Sequence, residues 1–276
     1  MAPIPVMING LPGNVAQVLA RHALADARFA VVPFSLTGPE IQAKQVEIDG
    51  FTAALVRPED RDGRMPGILE AYGRPIAVDF THPSAVNDNA AFYCRHNLPF
   101  VMGTTGGDRA ALHAEVQASS IAAVIAPNMA KQIVGFQAML EYAAATFPGL
   151  FAGYRLQVRE SHQRGKADIS GTAKAVVQAF QRLGVDFNTQ QIEMVRDPGI
   201  QREGWGVPEQ YLSGHGWHTY TLDSADGTVH FEFTHNVNGR DVYAKGTLDA
   251  VAYLACKVAE GAGGRVFTMI DVLKGL

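Results

Sequence analysis

The sequence predicts an α/β chain: a doubly wound parallel sheet, followed by a second, α+β domain that contains an open mixed sheet. Three observations predict it. Short apolar runs alternate with helix-like segments over about the first 125 residues. The first run, Ile4–Ile8, leads into a glycine turn and then an amphipathic helix. Beyond residue 150, segments of period-two alternation follow one another without a helix after each.

Composition narrows the class. With 276 residues, 47% apolar and 18% charged, the chain can bury a large core and has no disordered bias. A net charge of −4 gives no basic face for nucleic acid. No apolar run reaches the length that spans a bilayer, so no membrane partner is expected. The first residues run almost at once into a strand, which predicts no signal or transit peptide, and a cytoplasmic or plastid-stromal setting. Cys94 and Cys256 lie far apart in helix-like contexts and are expected as two buried thiols in a reducing compartment.

After Ile4–Ile8 comes Asn9-Gly10-Leu11-Pro12-Gly13-Asn14-Val15-Ala16, with Val15, Val18, Leu19 and His22 at helical spacing. A Gly-x-x-Gly-x-x-Ala run between strand and helix is the setting of a Rossmann-type pyrophosphate site. Gly10 allows the tight turn, Gly13 the approach of backbone to phosphate, and Ala16 the close packing of the helix. The middle glycine is missing, so a plain helix cap fits the motif too. Further strands are expected at Val31–Phe34, Ile76–Phe80, Pro99–Gly103 and Ala122–Ile125, with helices over 84–97 and 107–119. Ligands of such sheets sit at the carboxyl ends of the strands. This places Phe80, Thr81, Gly103, Thr104, Thr105, Pro127, Asn128 and Met129 at one edge, with Asn9, Pro12 and Asn14, as the cofactor site. After the second strand, Ser35-Leu36-Thr37-Gly38 has no acid before Glu40. The hydroxyls of Ser35 and Thr37 are therefore expected to take the 2′-phosphate, and NADPH to serve at least as well as NADH. Lys131, after Met129, is a candidate to reach the same cleft.

A long amphipathic helix through Ile133, Phe136, Leu140, Ala143 and Phe147 opens the second part. Tyr154, Leu156 and Val158 then alternate with Arg155, Gln157 and Arg159 as a strand, and the alternation sets Glu160 and His162 on the apolar side at its end. Glu160 is read either as an orienter of His162 or as a surface acid. A loop with Gln163, Lys166 and Asp168 runs into a helix starting near Ser170-Gly171-Thr172, where free N–H groups favour an anion. Asp168 is expected as an acid of that helix start. A loop-rich stretch from Arg196 to Gly216 precedes two antiparallel strands, Trp217–Leu222 and Val229–Val237. His235 shares a face with Phe231 and Phe233. No Cys or carboxylate stands at metal-ligand spacing from the histidines, so no metal is expected. Arg240 is read as a cofactor, interdomain or substrate contact, with a surface charge as the alternative. Leu248, Val251, Ala255 and Val258 form a closing helix, followed by Val266–Leu273. The expected domains are 1–129 with 241–276 for the dinucleotide, and 130–240 for substrate and oligomerisation.

Gly10-x-x-Gly13, Asp79-Phe80-Thr81, Gly103-Thr104-Thr105-Gly106, the stretch 160–173 and Gly239-Arg240 together resemble the dihydrodipicolinate reductase family of lysine and diaminopimelate biosynthesis, nearly end to end. His162-Gln163 in place of two adjacent histidines, no Pro before Ser-Gly-Thr, and Gly214-His215-Gly216-Trp217-His218-Thr219-Tyr220 look like its plant and cyanobacterial branch. The resemblance implies hydride transfer from NADPH, with NADH also usable, to a cyclic dicarboxylate. It makes His162 the proton donor and Lys166 the residue that stabilises or protonates the substrate. Gln163, Ser170, Gly171, Thr172 and Thr105 become substrate contacts. It also suggests a homo-oligomer, dimer or tetramer, with a dimer favoured. Two rivals share the fold: another two-domain dehydrogenase, and a nucleotide sensor that does not turn over. A semialdehyde dehydrogenase needs a nucleophilic cysteine that neither Cys94 nor Cys256 provides, and a sensor needs no proton donor.

Overall fold

In this computed structural model, which describes residues 2–275, the chain divides into two compact units: Met1–Lys131 with Asp241–Leu276, and Gln132–Arg240. The first unit opens with β1 (Ile4–Asn9), turns at Gly10 into α1 (Asn14–Leu24) and returns as β2 (Phe29–Val31). The segment Val31–Phe34, expected as one strand, is broken in two. Pro33 has no N–H to continue a ladder, so β2 stops and β3 (Phe34–Leu36) begins a separate small sheet. In that sheet β4 (Gln45–Ile48) and β5 (Phe51–Val56) form a hairpin, closed by Asp49-Gly50 with φ of 49° and 83°. Positive φ at both loop residues is what a two-residue hairpin with the strands' own twist requires. α2 (Arg61–Tyr72) follows and buries Met65 and Ile68 on either side of Pro66. Next come β6 (Ile76–Asp79), α3 (Val86–Arg95), β7 (Phe100–Met102), α4 (Arg109–Gln117) and β8 (Ala122–Ile125).

The second unit takes in α5 (Lys131–Thr146) from its second residue on, then β9 (Arg155–His162), α6 (Gly171–Arg182), β10 (Glu193–Val195), α7 (Pro198–Glu203), β11 (His215–Asp223) and β12 (His230–Asn238). The chain then rejoins the first unit through α8 (Asp241–Ala259), β13 (Arg265–Phe267) and α9 (Met269–Lys274).

The main sheet of the first unit runs β13-β8-β7-β6-β1-β2, with every neighbouring pair parallel. Helices cover both faces of such a sheet, so its central strands are apolar without alternation. Val6, Met7, Ile8, Ala77, Val78, Val101, Met102, Ala123 and Val124 are all fully buried or nearly so. Each large side chain among them contributes about 1.5–3 kcal/mol on burial. Strand order reverses between β1 and β6, and the crevice at their carboxyl ends is the ligand position of this topology.

The second sheet runs β10-β9-β11-β12 and is mixed: β10 lies parallel to β9, while β11 is antiparallel to both β9 and β12. Its inner face packs Leu156, Val158, Tyr220 and Leu222 against Val176, Val177 and Phe180 of α6. Cys94 is buried in α3 and Cys256 is exposed on α8, which corrects the expected pair of buried thiols. Cys256 falls outside the stripe of α8 that buries Ala244, Leu248, Val251 and Leu254. Among the described residues no helix is long and apolar enough to cross a membrane.

Candidate active site

The first unit builds a cavity of about 920 Å³ at the crevice between β1 and β6, lined by Gly10, Pro12, Gly13, Thr37, Phe80 and Thr81 among others. Gly10 has φ +101°, and a Cβ there would overlap the backbone oxygen of Phe80. The two strand-end loops thus touch through a glycine that no other residue replaces. Gly13 is the N-cap of α1 and carries no side-chain cap, so the first N–H groups of the helix, at Asn14 and Val15, are open to an anion. A cavity of this size, a glycine cradle and an uncapped helix start fit a dinucleotide pyrophosphate.

Behind the cavity lies a hub that sequence reasoning missed. The fully buried carboxylate of Asp79 accepts bonds from Thr81 N–H (3.1 Å), Thr81 Oγ1 (2.8 Å), Thr104 Oγ1 (2.6 Å), Asn89 Nδ2 (2.9 Å) and Tyr93 OH (2.7 Å). Burial and this carboxylate push the Tyr93 phenol well above its usual range. The hub locks the loops after β6 and β7 together.

Several expected contacts change role. Asn9 is fully buried and spends its amide on Tyr93 OH (3.0 Å) and Leu36 N–H (2.9 Å), so it braces the strands and faces no ligand. Ser35 is equally buried and accepts from Leu11 N–H (3.2 Å), while Thr37 Oγ1 donates to Leu11 O (2.7 Å). Both hydroxyls therefore hold the glycine turn and, contrary to the expectation, are not turned toward a 2′-phosphate. Glu40 joins Thr37 at the cavity wall, with its carboxylate folded back over Gly38 where a Cβ would collide with it. Gly103 is needed because the Phe80 ring lies on it, and Thr104 is 6% exposed with its hydroxyl engaged by Asp79. Met129 is buried, with its backbone oxygen against Gly246 of α8. Thr105 and Pro127 are exposed; Asn128 is half-buried and accepts from Ala130 N–H (2.9 Å). Lys131 forms an ion pair with Asp249. Arg240 ends the second unit with its guanidinium 3.0 Å from where a Cβ on Gly214 would stand.

In the second unit, β9 delivers Glu160 and His162 to the inner face, as the alternation predicts. Glu160 is fully buried and not a surface acid. Its carboxylate accepts Ser170 N–H (3.0 Å) and is gripped by Arg196 Nη2, a partner 36 residues away. Arg196 also donates Nε–H to Lys166 O (2.8 Å) and Nη2–H to Asp168 O (3.3 Å), so one guanidinium fastens the whole loop to the strand end. Gln201 donates to His162 O (2.7 Å) from α7. Lys166 Nζ bonds the Asp168 carboxylate (2.7 Å), which holds that carboxyl below its usual range. Asp168 precedes the helix and pairs with the lysine; no acid lies in the first turn of α6. Gln163 is half-buried and turns the loop by accepting Lys166 N–H (3.0 Å) at its carbonyl. Ser170 is the N-cap with no side-chain cap, leaving the N–H groups of Gly171 and Thr172 open beside these cations.

Three histidines gather round this strand end. His162 Nδ1 lies 3.1 Å from His215 O, and His162 Nε2 lies 3.3 Å from His218 Nε2. His215 itself bridges Ser161 Oγ (2.7 Å) and Tyr211 O (3.0 Å). Burial first, then the charges of Arg196 and Lys166, pull His162 down to about 4. Glu160, His162 and His218 also bring three ligand atoms within 4.8 Å of one another, a grouping that sequence spacing did not reveal. Arg196 already neutralises that carboxylate, and two cations face the group, so its chemistry is that of an acid–base cluster for an anion.

A dinucleotide crevice in one unit and an imidazole, an ammonium and an open helix start in the other define a nicotinamide-dependent oxidoreductase acting on an anionic substrate. Residues 4–129 match the family described as dihydrodipicolinate reductase, N-terminus, and residues 133–273 match dihydrodipicolinate reductase, C-terminus. The chain belongs to the dihydrodipicolinate reductase family. It is 48% identical over 271 residues to 4-hydroxy-tetrahydrodipicolinate reductase 2, chloroplastic, of Arabidopsis thaliana, covering 98% of this chain and 77% of that one. The 4-hydroxy-tetrahydrodipicolinate reductase of the cyanobacterium Nostoc sp. is 29% identical, over 91% of this chain and 92% of that one. The dipicolinate-bound dihydrodipicolinate reductase of Paenisporosarcina sp. TG-14 shares the fold, with a TM-score of 0.66 at 17% identity over 96% of this chain and 97% of that one.

Proposed function

We propose that this chain reduces 4-hydroxy-tetrahydrodipicolinate, through its dehydrated ring, to tetrahydrodipicolinate in lysine and diaminopimelate biosynthesis. The observation that carries the reading is the strand end itself. There His162 stands beside a loop that Arg196 fastens to Glu160, with Lys166 and the open N-terminus of α6 on the same loop.

A nicotinamide dinucleotide, its pyrophosphate held at the Gly10–Gly13 turn, would supply the hydride when bound. Gly171 and Thr172 hold one substrate carboxylate with backbone N–H groups, and the Thr172 hydroxyl adds a donor. Lys166 balances negative charge that builds on the ring as hydride arrives, which lowers the barrier. His162 gives the proton. In the free protein it is neutral at pH 7, because burial and two cations hold it at about 4. A dicarboxylate offsets those cations and raises the proton affinity of His162, so the acid forms as the substrate arrives.

Both NADPH and NADH serve as donors, with the Glu40 carboxylate weighing against the 2′-phosphate of NADPH. The protein works as a homo-oligomer, with a dimer favoured, through the open outer face of β11 and β12 that carries Thr219, Thr221, Glu232 and Thr234. A plastid-stromal or cytoplasmic setting accords with the chloroplastic relatives.

Freshly made 4-hydroxy-tetrahydrodipicolinate added to the protein and NADPH should produce stoichiometric loss of cofactor absorbance, inhibited competitively by dipicolinate. No oxidation with either cofactor would sink the assignment.

A further inference from the structure

The wall of the cavity in the first unit closes on itself through hydrogen bonds. Gly10 N–H donates to Leu36 O (2.8 Å) at the end of β3, and Thr37 N–H donates to Val56 O (2.9 Å) at the end of β5. β3 and β5 run parallel with Leu36 opposite Val56, and both of these residues line the cavity. After β5 the chain enters α2 at Arg61, whose Nη1 donates to Asn89 Oδ1 (2.9 Å) on α3. Asn89 Nδ2 donates to Thr81 Oγ1 (3.1 Å), and the backbone of Phe80 lies against Gly10. Arg61 is thus the last link reached from the glycine turn in either direction.

A dinucleotide on this topology sets its pyrophosphate at the glycine turn and its adenosine ribose beyond the strand that follows the first helix. Here β3 plays that part, because the run after β2 is broken at Pro33. The ends of β3 and β5 and the start of α2 are therefore the adenosine side of the cavity.

The charges there are uneven. Arg61 is the one lysine or arginine among the described residues that line the cavity, against the carboxylates of Glu40 and Asp88. Its charged neighbours are already paired: Arg57 with Glu59 (3.1 Å), and Asp62 with Arg95 (3.6 Å) and His96 (3.3 Å). Among the described residues Arg61 has no carboxylate within ion-pair distance. Neutral groups hold it instead, the Asn89 amide and the Phe92 ring, whose centroid lies 4.7 Å from the guanidinium carbon. A half-buried guanidinium, fixed in place with its charge uncompensated, is ready for an anion.

We propose that Arg61 is a cofactor-specificity residue, which takes the 2′-phosphate of NADPH and offsets the repulsion from Glu40. The proposal rests on the reading of the cavity as a dinucleotide site. Nη1 stays on Asn89, which leaves Nη2–H and Nε–H for two phosphate oxygens. The 2′-hydroxyl of NADH brings no charge to that fork, so its binding depends on Arg61 far less. Asn89 also donates to Asp79 (2.9 Å), so the cation is mounted on the buried hub and not on a surface loop. Glu40 and Arg61 act in opposite senses on the same substituent, which lets both cofactors serve.

The test measures Kd by calorimetry for NADPH, NADH, 2′,5′-ADP and 5′-AMP on the full-length wild type, Arg61→Gln and Glu40→Gln. Arg61→Gln should lose about tenfold or more affinity for NADPH beyond any loss for NADH, and likewise for 2′,5′-ADP beyond 5′-AMP. Glu40→Gln leaves Arg61 without that opposing carboxylate. It should bind 2′,5′-ADP about tenfold or more tightly than 5′-AMP at low salt, and the gap should shrink as salt rises. An unaltered NADPH to NADH ratio in Arg61→Gln overturns the proposal. So does an equal loss for all four ligands, which would make Arg61 a stacking or structural group. If Arg61→Gln fails to fold, Glu40→Gln carries the test: equal affinity for 2′,5′-ADP and 5′-AMP, or a gap that salt leaves unchanged, overturns the proposal. A wild type that binds neither NADPH nor NADH overturns the dinucleotide reading itself, and the role of Arg61 with it.

Discussion

Arg196 closes on the fully buried carboxylate of Glu160 and, with the same guanidinium, donates to the backbone oxygen of Lys166 at 2.8 Å. One side chain from beyond β10 therefore neutralises the strand end and sets the loop that carries the ammonium.

Removing that cation leaves an unpaired buried charge, which costs about 3–5 kcal/mol. Arg196→Met should lower the melting temperature by several degrees and reduce activity as the loop comes loose. Adding Glu160→Gln to it should recover part of the stability, because the orphaned charge is gone. Thermal melts of the three proteins decide this; an Arg196→Met protein that melts like wild type refutes the account.

His162→Ala and Lys166→Ala should each lower kcat by about 10²–10⁴-fold. Both side chains lie outside the apolar cluster of the second unit, so the melting temperature should stay close to that of wild type. Steady-state rates and melts on the same preparations check both halves of the statement, and near-normal turnover in either variant removes that residue from the chemistry.

Glu40→Gln keeps the side chain over Gly38 while discharging it. The ratio of kcat/KM for NADPH to that for NADH should rise about tenfold, equivalent to about 1.4 kcal/mol. An unchanged ratio would mean that the carboxylate faces no 2′ substituent.

Stability should fall on mild acidification. His162 and His235 are held at about 4, and burial takes His218 well down too, against an ordinary value of 6.5. Between those values the unfolded chain binds protons that the folded one refuses, so stability is complete above about pH 6.5 and is lost toward pH 4. Carboxyls held low, such as Asp226 at about 2, titrate below this window. Urea unfolding from pH 7.5 to 4.5 measures the slope, and His235→Gln should flatten it; a pH-independent midpoint contradicts the assignment.

The strands of the main sheet were readable because both their faces are buried, which writes them as unbroken apolar runs. The turn at Gly10 and the stretch from Glu160 to Thr172 were readable because their chemistry is local. Asp49-Gly50 is a hairpin signal in the sequence, and Pro33 marks the strand break. α2 was hidden by Gly63, Pro66 and Gly67, which argue against a helix until packing of Met65 and Ile68 overrides them.

The amino-acid order by itself determined the two-part α/β architecture, the dinucleotide turn and the pairing of His162 with Lys166 on one loop. Those follow from period, glycine placement and spacing along the chain. Only the tertiary structure decided that Glu160 is buried against Arg196, that Asn9 and Ser35 brace the strands, that Glu40 reaches the cavity and that His218 meets His162. Each of these last choices depends on which side chains strand register and chain return bring to the same place. Glu160 and Arg196 are 36 positions apart and His162 and His218 are 56, and no local periodicity encodes such contacts.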